Sequence, residues 1–145
     1  MAARPAISKS ARKRLQQTRV ARLATADTRR RPSVVPICFA FDGRALYTPL
    51  DLKPKRRTSG TLRRVQNIKA NPDVALLVDD YREDWRRLWF ILIRGRARLL
   101  RSGAQWRKAH RLLKRKYPQY RTSLLPADAP VIEILPRRIV VWGRL

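Results

Sequence analysis

The chain has 145 residues, of which 35 are Lys or Arg and 10 are Asp or Glu, giving a formal net charge of +25. This length suits one domain with its own core, and the hydrophobic content of 44% argues against general disorder. The longest apolar run, residues 88–93, is too short to span a bilayer, so we expect no membrane insertion. The charge attracts nucleic acid and acidic small molecules alike, and by itself it selects no partner.

The chain contains one cysteine, Cys38, and one histidine, His110. A single cysteine excludes a disulfide framework and a structural zinc site, and it suits a reducing cytoplasm, where we expect the protein to act. The basic residues 1–18 are followed by no apolar core of a secretory signal. We expect His110 on the exposed basic face of a helix, where it completes no catalytic triad.

Apolar periodicity predicts three helices and a larger number of strands in chain order. The helices cover residues 8–17, 62–69 and 102–117, the last with a capping box at Ser102 and Gln105. The strands cover residues 19–25, 33–41, 44–48, 74–79, 85–98, 131–135 and 138–142.

Turn chemistry predicts how these strands connect. Asp42 and Gly43 predict a two-residue hairpin turn, and Pro136 and Arg137 predict a closing hairpin between the last two strands. About six or seven antiparallel strands with a few short helices predict a mainly β fold, a small barrel rather than a doubly wound sheet. Four acids at residues 79–84 fall in a turn, where we expect pairing with neighbouring arginines and no metal site.

The strand at residues 33–41 has one face of low side chains. Its even positions include Val34, Pro36 and Ala40, whereas its odd positions carry more bulk. A flat ring can lie against a strand only where the side chains are low, although small residues also pack beneath helices. Pro36 lacks a backbone N–H and therefore predicts an edge strand or a bulge.

Four cations lie close together between a strand and a helix: Lys53, Lys55, Arg56 and Arg57. Residues 58–61 add hydroxyl groups and a glycine where the helix begins, so the segment can bind a phosphate or a carboxylate. In so basic a chain, a solvated loop is the alternative interpretation. Neither a Walker loop nor a dinucleotide-binding GxGxxG motif is present. With so few acid–base groups, an enzyme of this sequence would rely on a bound cofactor.

Several segments together carry a family resemblance: VARLAT, RPSVVPICFAFDG, LYT, the loop with KPK, LRRVQNIKANPDVALLVDDY and DWRRLWFILIRGRARLL. They resemble the pyridoxamine 5′-phosphate oxidase-like (PPOX class) split β-barrel superfamily, and within it the branch of probable coenzyme F-420-dependent oxidoreductases. The resemblance implies a six- or seven-stranded antiparallel split β-barrel at residues 18–145, after a basic helical extension at residues 1–17. It also implies a homodimer with a deazaflavin, or in relatives FMN, at the subunit interface.

The resemblance also implies roles for residues at matching positions. Val35 and Pro36 would lie near the ring system, Tyr47 and Thr48 would border the cofactor, and Asn67 would contribute more weakly. Four cations would hold the phosphate and the acidic tail of the cofactor: Lys53, Lys55, Arg56 and Arg57. Trp85 and Trp89 would help to cover the site, from the other subunit if the dimer is as implied.

The resulting hypothesis is an oxidoreductase that transfers a hydride between reduced coenzyme F-420 and an unidentified small electrophile. Solvent or Tyr81 would supply the proton. The alternatives are an FMN-binding oxidoreductase of the same fold and a non-catalytic basic module that binds nucleic acid. For the enzyme, we expect only non-specific contact with nucleic acid through net charge.

Overall fold

The computed structural model describes residues 3–51 and 62–145, and within this part of the chain seven strands form one sheet. The strands are β1 (Ala21–Ala26), β2 (Pro32–Ile37), β3 (Ala40–Phe41), β4 (Leu46–Pro49), β5 (Asp73–Asp80), β6 (Trp89–Leu100) and β7 (Val131–Gly143). The helices are α1 (Lys9–Gln17), α2 (Arg63–Ala70) and α3 (Ala104–Lys116), with short 3-10 turns at Trp85–Arg87 and Pro118–Arg121. None of these helices is long and apolar enough to cross a bilayer.

The sheet curls into a half-barrel. Its strand order is β2-β1-β5-β6-β7-β4-β3, and all neighbouring strands are antiparallel. The two edge strands, β2 and β3, are separated in sequence only by Cys38 and Phe39, so the opposite ends of the sheet must lie close together. The prediction of a mainly β, antiparallel split barrel is confirmed.

The core lies on the concave side of the sheet, between alternate strand residues and two helices. Leu23, Leu76 and Ile91 are fully buried there, because the side chains of a strand alternate between its two faces. Leu15 of α1 and Val65 of α2 belong to the same cluster. Helix α3 instead packs on β3 and β4, outside this core.

The last strand is continuous, so the prediction of a closing hairpin at residues 131–142 was wrong. β7 pairs with β6 along its whole length, from Val131 opposite Leu100 to Gly143 opposite Trp89. The register shifts where Gly95 lies opposite Pro136, and Arg137 becomes the extra residue of a bulge. Pro136 cannot donate a backbone hydrogen bond, and a bulge accommodates it as well as a turn would.

The predicted strand at residues 33–41 is interrupted at Cys38 and Phe39. The hydroxyl of Tyr117 accepts the Phe39 N–H at 3.0 Å and lies 2.7 Å from the Arg19 carbonyl oxygen. A side chain thus replaces a strand partner at this point, which separates β2 from β3. Burial raises the pKa of Tyr117 to about 12, so the hydroxyl stays protonated.

Three local predictions also need correction. The hairpin loop after β3 has four residues rather than two, because Phe41 pairs with Leu46. Helix α3 has Gly103, at φ 96°, as its N-cap, and the expected Ser102 capping box is not formed. Trp85 lies in a 3-10 turn before β6 instead of on a strand, since the Asp84 carboxylate accepts the Arg86 N–H.

Candidate functional site

The convex face of the sheet carries the low side of β2. The strand registers place Pro36, Arg22, Leu77, Leu92 and Val140 in one row across five strands. A parallel row begins with Val34, which is 64% exposed. The low strand and the middle of the sheet therefore share one solvent-facing surface, which we call the convex face.

An apolar cleft of about 370 Å³ lies on the convex face beside Asp79 and Asp80. Its apolar and aromatic lining consists of Leu77, Tyr81, Leu88, Trp89, Phe90 and Trp142. The Phe90 and Trp142 rings stack with centroids 5.5 Å apart and an interplanar angle of 15°. The cleft thus offers flat aromatic surface next to the rows that lead to β2.

Val35 and Pro36 occupy opposite sides of β2. Val35 is half-buried and packs against the main core, whereas Pro36 is exposed on the convex face. Among the strands of residues 3–51 and 62–145, β2 pairs with β1 alone, so the expectation that Pro36 marks an edge strand or a bulge is confirmed as an edge strand.

Tyr47 and Thr48 are both buried, on opposite faces of β4. The Tyr47 hydroxyl donates to Asp42 Oδ2 at 3.0 Å and lies 3.4 Å from Gln105 Oε1, which places this side chain under α3. Burial, and then the Asp42 carboxylate, raises the pKa of Tyr47. Burial opposes ionisation of Asp42, but hydrogen bonds from the Ala45 N–H and from Lys108 hold its pKa below the usual value.

Lys53, Lys55, Arg56 and Arg57 lie outside the described residues, but the residues on both sides of that segment are described. On one side, the Leu50 N–H donates to the Pro130 carbonyl at 3.0 Å. Next to it, the Asp51 carboxylate is buried and accepts a hydrogen bond from the Tyr120 hydroxyl. Burial, and then this hydrogen bond, raises the pKa of Tyr120, which therefore remains a donor.

Arg64, on the other side of that segment, is a site residue that the sequence analysis missed. It lies in the first turn of α2 and is half-buried, whereas its neighbour Arg63 is exposed. Its Nε is buried and has no hydrogen-bond acceptor among the described residues. Burial lowers the pKa of Arg64, while the charge of Asp51 favours the cation. Its position next to buried Val65 was the signal that could have identified it.

Asn67 connects α2 to the sheet. Its Nδ2 donates to Thr25 Oγ1 at 3.0 Å, and both residues are buried. Asn67 therefore holds α2 against β1 on the concave side.

The cleft brings Tyr81 and Trp89 together, whereas Trp85 is not among its lining residues. Trp89 is 6% exposed, and the Arg14 guanidinium lies 5.2 Å from its ring centroid. Tyr81 is 63% exposed, with its hydroxyl 3.4 Å from Glu83 Oε2. Trp85 is 71% exposed and therefore available to another surface.

The prediction that His110 is a surface residue was wrong. Its ring is 7% exposed, with Nε2 2.9 Å from the Ala129 carbonyl oxygen and its centroid 4.3 Å from that of Trp106. The predicted pairing of the acids at residues 79–84 with arginines is observed, since Asp79 pairs with Arg22 at 3.2 Å and Asp80 with Arg82 at 2.8 Å, but these two acids end β5 instead of lying in a turn. Within the described ranges, no cluster of His, Cys, Asp or Glu could hold a metal ion.

A curled antiparallel sheet with a low edge strand and an aromatic cleft on its convex face defines the class of small split β-barrels. The family model described as pyridoxamine 5′-phosphate oxidase matches residues 7–143, and the chain therefore belongs to that family. The prediction of this superfamily is thus confirmed. No curated protein matches the chain.

Three solved structures illustrate the shared fold. The conserved hypothetical protein Rv2991 from Mycobacterium tuberculosis is 16% identical with a TM-score of 0.74, covering 95% of this chain and 86% of that one. The heme storage protein HutZ from Vibrio cholerae is 15% identical with a TM-score of 0.71, covering 93% of each chain. A structure described as an F420 reductase is 24% identical with a TM-score of 0.68, covering 92% of this chain and 98% of that one.

Proposed function

We propose that this protein is an oxidoreductase that uses coenzyme F-420 and transfers a hydride between the reduced cofactor and a small electrophilic substrate. The observation that carries the proposal is the convex face, where the low side of an edge strand and an aromatic cleft occur together in a chain of this family. One structure with the same fold is described as an F420 reductase, and this adds support.

The donor set fits a flat, anionic cofactor. Pro36 and its neighbour Val34 leave room for a ring above β2, because neither side chain stands high above the strand. Arg64 has a buried donor atom with no acceptor among the described residues, and the four cations in the sequence at residues 53–57 suit a phosphate and a carboxylate tail. The cofactor would supply hydride chemistry, which the few acid–base groups of this chain cannot provide. Solvent or Tyr81, which lies at the cleft, would supply the proton.

We further propose that a second copy of the chain covers the convex face. On this face Val34 of β2 is 64% exposed and Trp142 of β7 is 50% exposed, and large exposed apolar residues are common at interaction surfaces. A two-fold dimer would bury this face and bring exposed Trp85 of the second copy towards a neighbouring site. The protein would then act as a homodimer with the cofactor at its interface.

Heme and FMN are the competing cofactors. Heme iron in proteins is commonly held by a histidine, and His110, the one histidine of this sequence, is buried and hydrogen-bonded to a carbonyl. This contact disfavours heme, even though HutZ shares the fold. FMN also carries a phosphate and has a similar ring. The binding experiment must therefore distinguish FMN from F-420.

The experiment is a spectroscopic titration of the purified protein with oxidised F-420, FMN and hemin in parallel. We expect F-420 to bind with a dissociation constant of about 1 μM or lower, equivalent to about 8 kcal/mol. Lys55→Ala should weaken binding about tenfold, the loss expected for one charge-assisted hydrogen bond. Absence of F-420 binding at low salt would refute the proposal. Tighter binding of FMN than of F-420 would show that FMN is the cofactor.

A further inference from the structure

Two segments of the chain are strongly basic and contain no acid. Residues 3–20 hold six Lys or Arg residues and residues 101–121 hold eight, yet neither segment has an Asp or Glu. The ten acids of the chain all lie elsewhere. Arginine predominates over lysine in both segments taken together, with nine residues against five.

The fold brings these two distant segments side by side. The Arg19 guanidinium donates to the Lys116 carbonyl, and Lys116 Nζ lies 3.4 Å from the Leu15 carbonyl oxygen. A groove of about 440 Å³ runs between α1 and α3. Its lining consists of Gln16, Gln17, Arg19, Ala40, Phe41, Leu112, Arg115 and Lys116. We call this groove, together with the exposed side chains of α1 and α3, the two-helix face.

The charge of the two-helix face is largely unneutralised. Among the ion pairs of the described residues, only the contact between Lys108 and Asp42, at 2.8 Å, involves α1 or α3. The other pairs neutralise cations on the strands and turns, such as Arg98 with Glu133 and Arg96 with Asp73. Most cations of α1 and α3 therefore have no carboxylate partner among the described residues.

The side chains on this face distinguish among polyanions. Arginine forms bidentate hydrogen bonds to phosphate, and the exposed residues Arg107, Arg111 and Lys114 follow one stripe of α3 at helical spacing. Single-stranded nucleic acid needs exposed aromatic platforms, but Tyr117 and Tyr120 are buried.

An anionic membrane would need exposed apolar side chains on the same helices. The large apolar residues Leu15 of α1 and Leu113 of α3 are instead fully buried. The face therefore suits a backbone of regularly spaced phosphates better than a lipid surface.

We propose that the two-helix face binds the phosphate backbone of duplex nucleic acid, independently of base sequence. The contact would be electrostatic and would release counterions, so the affinity would fall steeply with salt. The face lies around α1 and α3, whereas the convex face is formed by β2, β1, β5, β6 and β7. Loss of duplex binding and loss of cofactor binding would thus be separable.

The test compares two triple variants with equal charge. One removes three cations from α3: Arg107→Gln, Arg111→Gln and Lys114→Gln. The control removes three exposed arginines outside α1 and α3: Arg29→Gln and Arg30→Gln in the turn between β1 and β2, and Arg137→Gln at the bulge of β7. β1 separates Arg29 from the end of α1 by six residues, which is about 20 Å.

The readout is fluorescence anisotropy with labelled duplex DNA, duplex RNA and single-stranded DNA of equal length, over a series of salt concentrations. We expect the α3 variant to bind duplex at least about tenfold more weakly and to flatten the log–log salt slope by about 2 to 3, whereas the control should change affinity less than about threefold. Both variants should bind F-420 as the unmodified protein does. The duplex that binds more tightly identifies DNA or RNA as the source of the phosphates.

Several results would overturn the proposal. Equal losses in the two triple variants would show that net charge alone causes binding, and tighter binding of the single strand would show that bases are the target. A face that binds anionic vesicles but no duplex would also contradict it. If the α3 variant does not fold, Lys9→Gln with Lys13→Gln on α1 provides the second test, with about a threefold or greater loss expected.

Discussion

Arg30 adopts a backbone conformation that favours glycine, so Arg30→Gly should stabilise the protein. Its φ is 63°, in a turn where the Arg30 N–H donates to the Asp27 carbonyl at 3.1 Å. The left-handed conformation costs a residue with a Cβ about 1–2 kcal/mol. Glycine also increases the conformational entropy of the unfolded chain, which lowers the free energy of unfolding by about 0.4–1 kcal/mol and offsets part of this gain. The net expectation is about 0.5–1 kcal/mol of added stability.

The assay is thermal and urea unfolding of the purified variant, with an expected rise in Tm of about 2–4 °C. Arg29→Gly is the matched control, since it removes the same charge from the same turn at a residue whose φ is not positive. That variant should lose about 0.5–1 kcal/mol. If both variants shift stability in the same direction, charge and not backbone strain controls this turn, and the reasoning is refuted.

Three further substitutions test the fold. Gly95→Ala should cost about 1–3 kcal/mol, because a Cβ there would lie 2.5 Å from the Leu135 carbonyl oxygen. Asn67→Ala should cost about 1–3 kcal/mol in urea unfolding, because it leaves the buried Thr25 hydroxyl without this partner. Burial lowers the pKa of Lys116 to about 8 from 10.5, so the folded state holds fewer protons than the unfolded chain between these values. The free energy of unfolding of the unmodified protein should therefore rise as the pH increases across this window. After allowance for solvent screening, the rise should exceed that of Lys116→Met by on the order of 1 kcal/mol.

Each of these substitutions has a neighbouring control. Arg94→Ala and Gln66→Ala alter exposed side chains beside the first two sites and should each change stability by less than about 0.5 kcal/mol. Losses as large as those of the buried sites would contradict the packing described here. For Lys116, parallel pH profiles of the variant and the unmodified protein would show that its amine does not titrate differently on folding.

Local periodicity predicted the elements whose burial alternates. The strand predicted at residues 85–98 is present as β6 from Trp89, and its alternate residues Trp89, Ile91 and Ile93 are buried. His110 was misassigned although it lies four residues after Trp106 and three before Leu113, on the buried stripe of α3. The prediction assumed that a polar side chain would be exposed. In the fold, the Ala129 carbonyl oxygen is the hydrogen-bond partner of the buried His110 ring.

The local sequence pattern could not predict which distant strands pair with each other. Pro136 with Arg137 predicted a hairpin because a bulge and a turn use similar residues, and only the partner strand β6 distinguishes them. The convex face likewise depends on registers across five strands, which align Pro36 with Leu77 although no local signal links them. The cationic segment at residues 53–57 lies outside the described residues, so its role stays a prediction.

The most direct test of the cofactor site is equilibrium binding of oxidised F-420 to the Val34→Trp variant. Val34 is 64% exposed on the low side of β2, so a large ring there would fill the space proposed for the cofactor. We predict binding at least about tenfold weaker than that of the unmodified protein, or about 1.4 kcal/mol, while Arg29→Trp in the adjoining turn leaves binding unchanged. Undiminished binding by a folded Val34→Trp variant would contradict the assignment of the cofactor to this face.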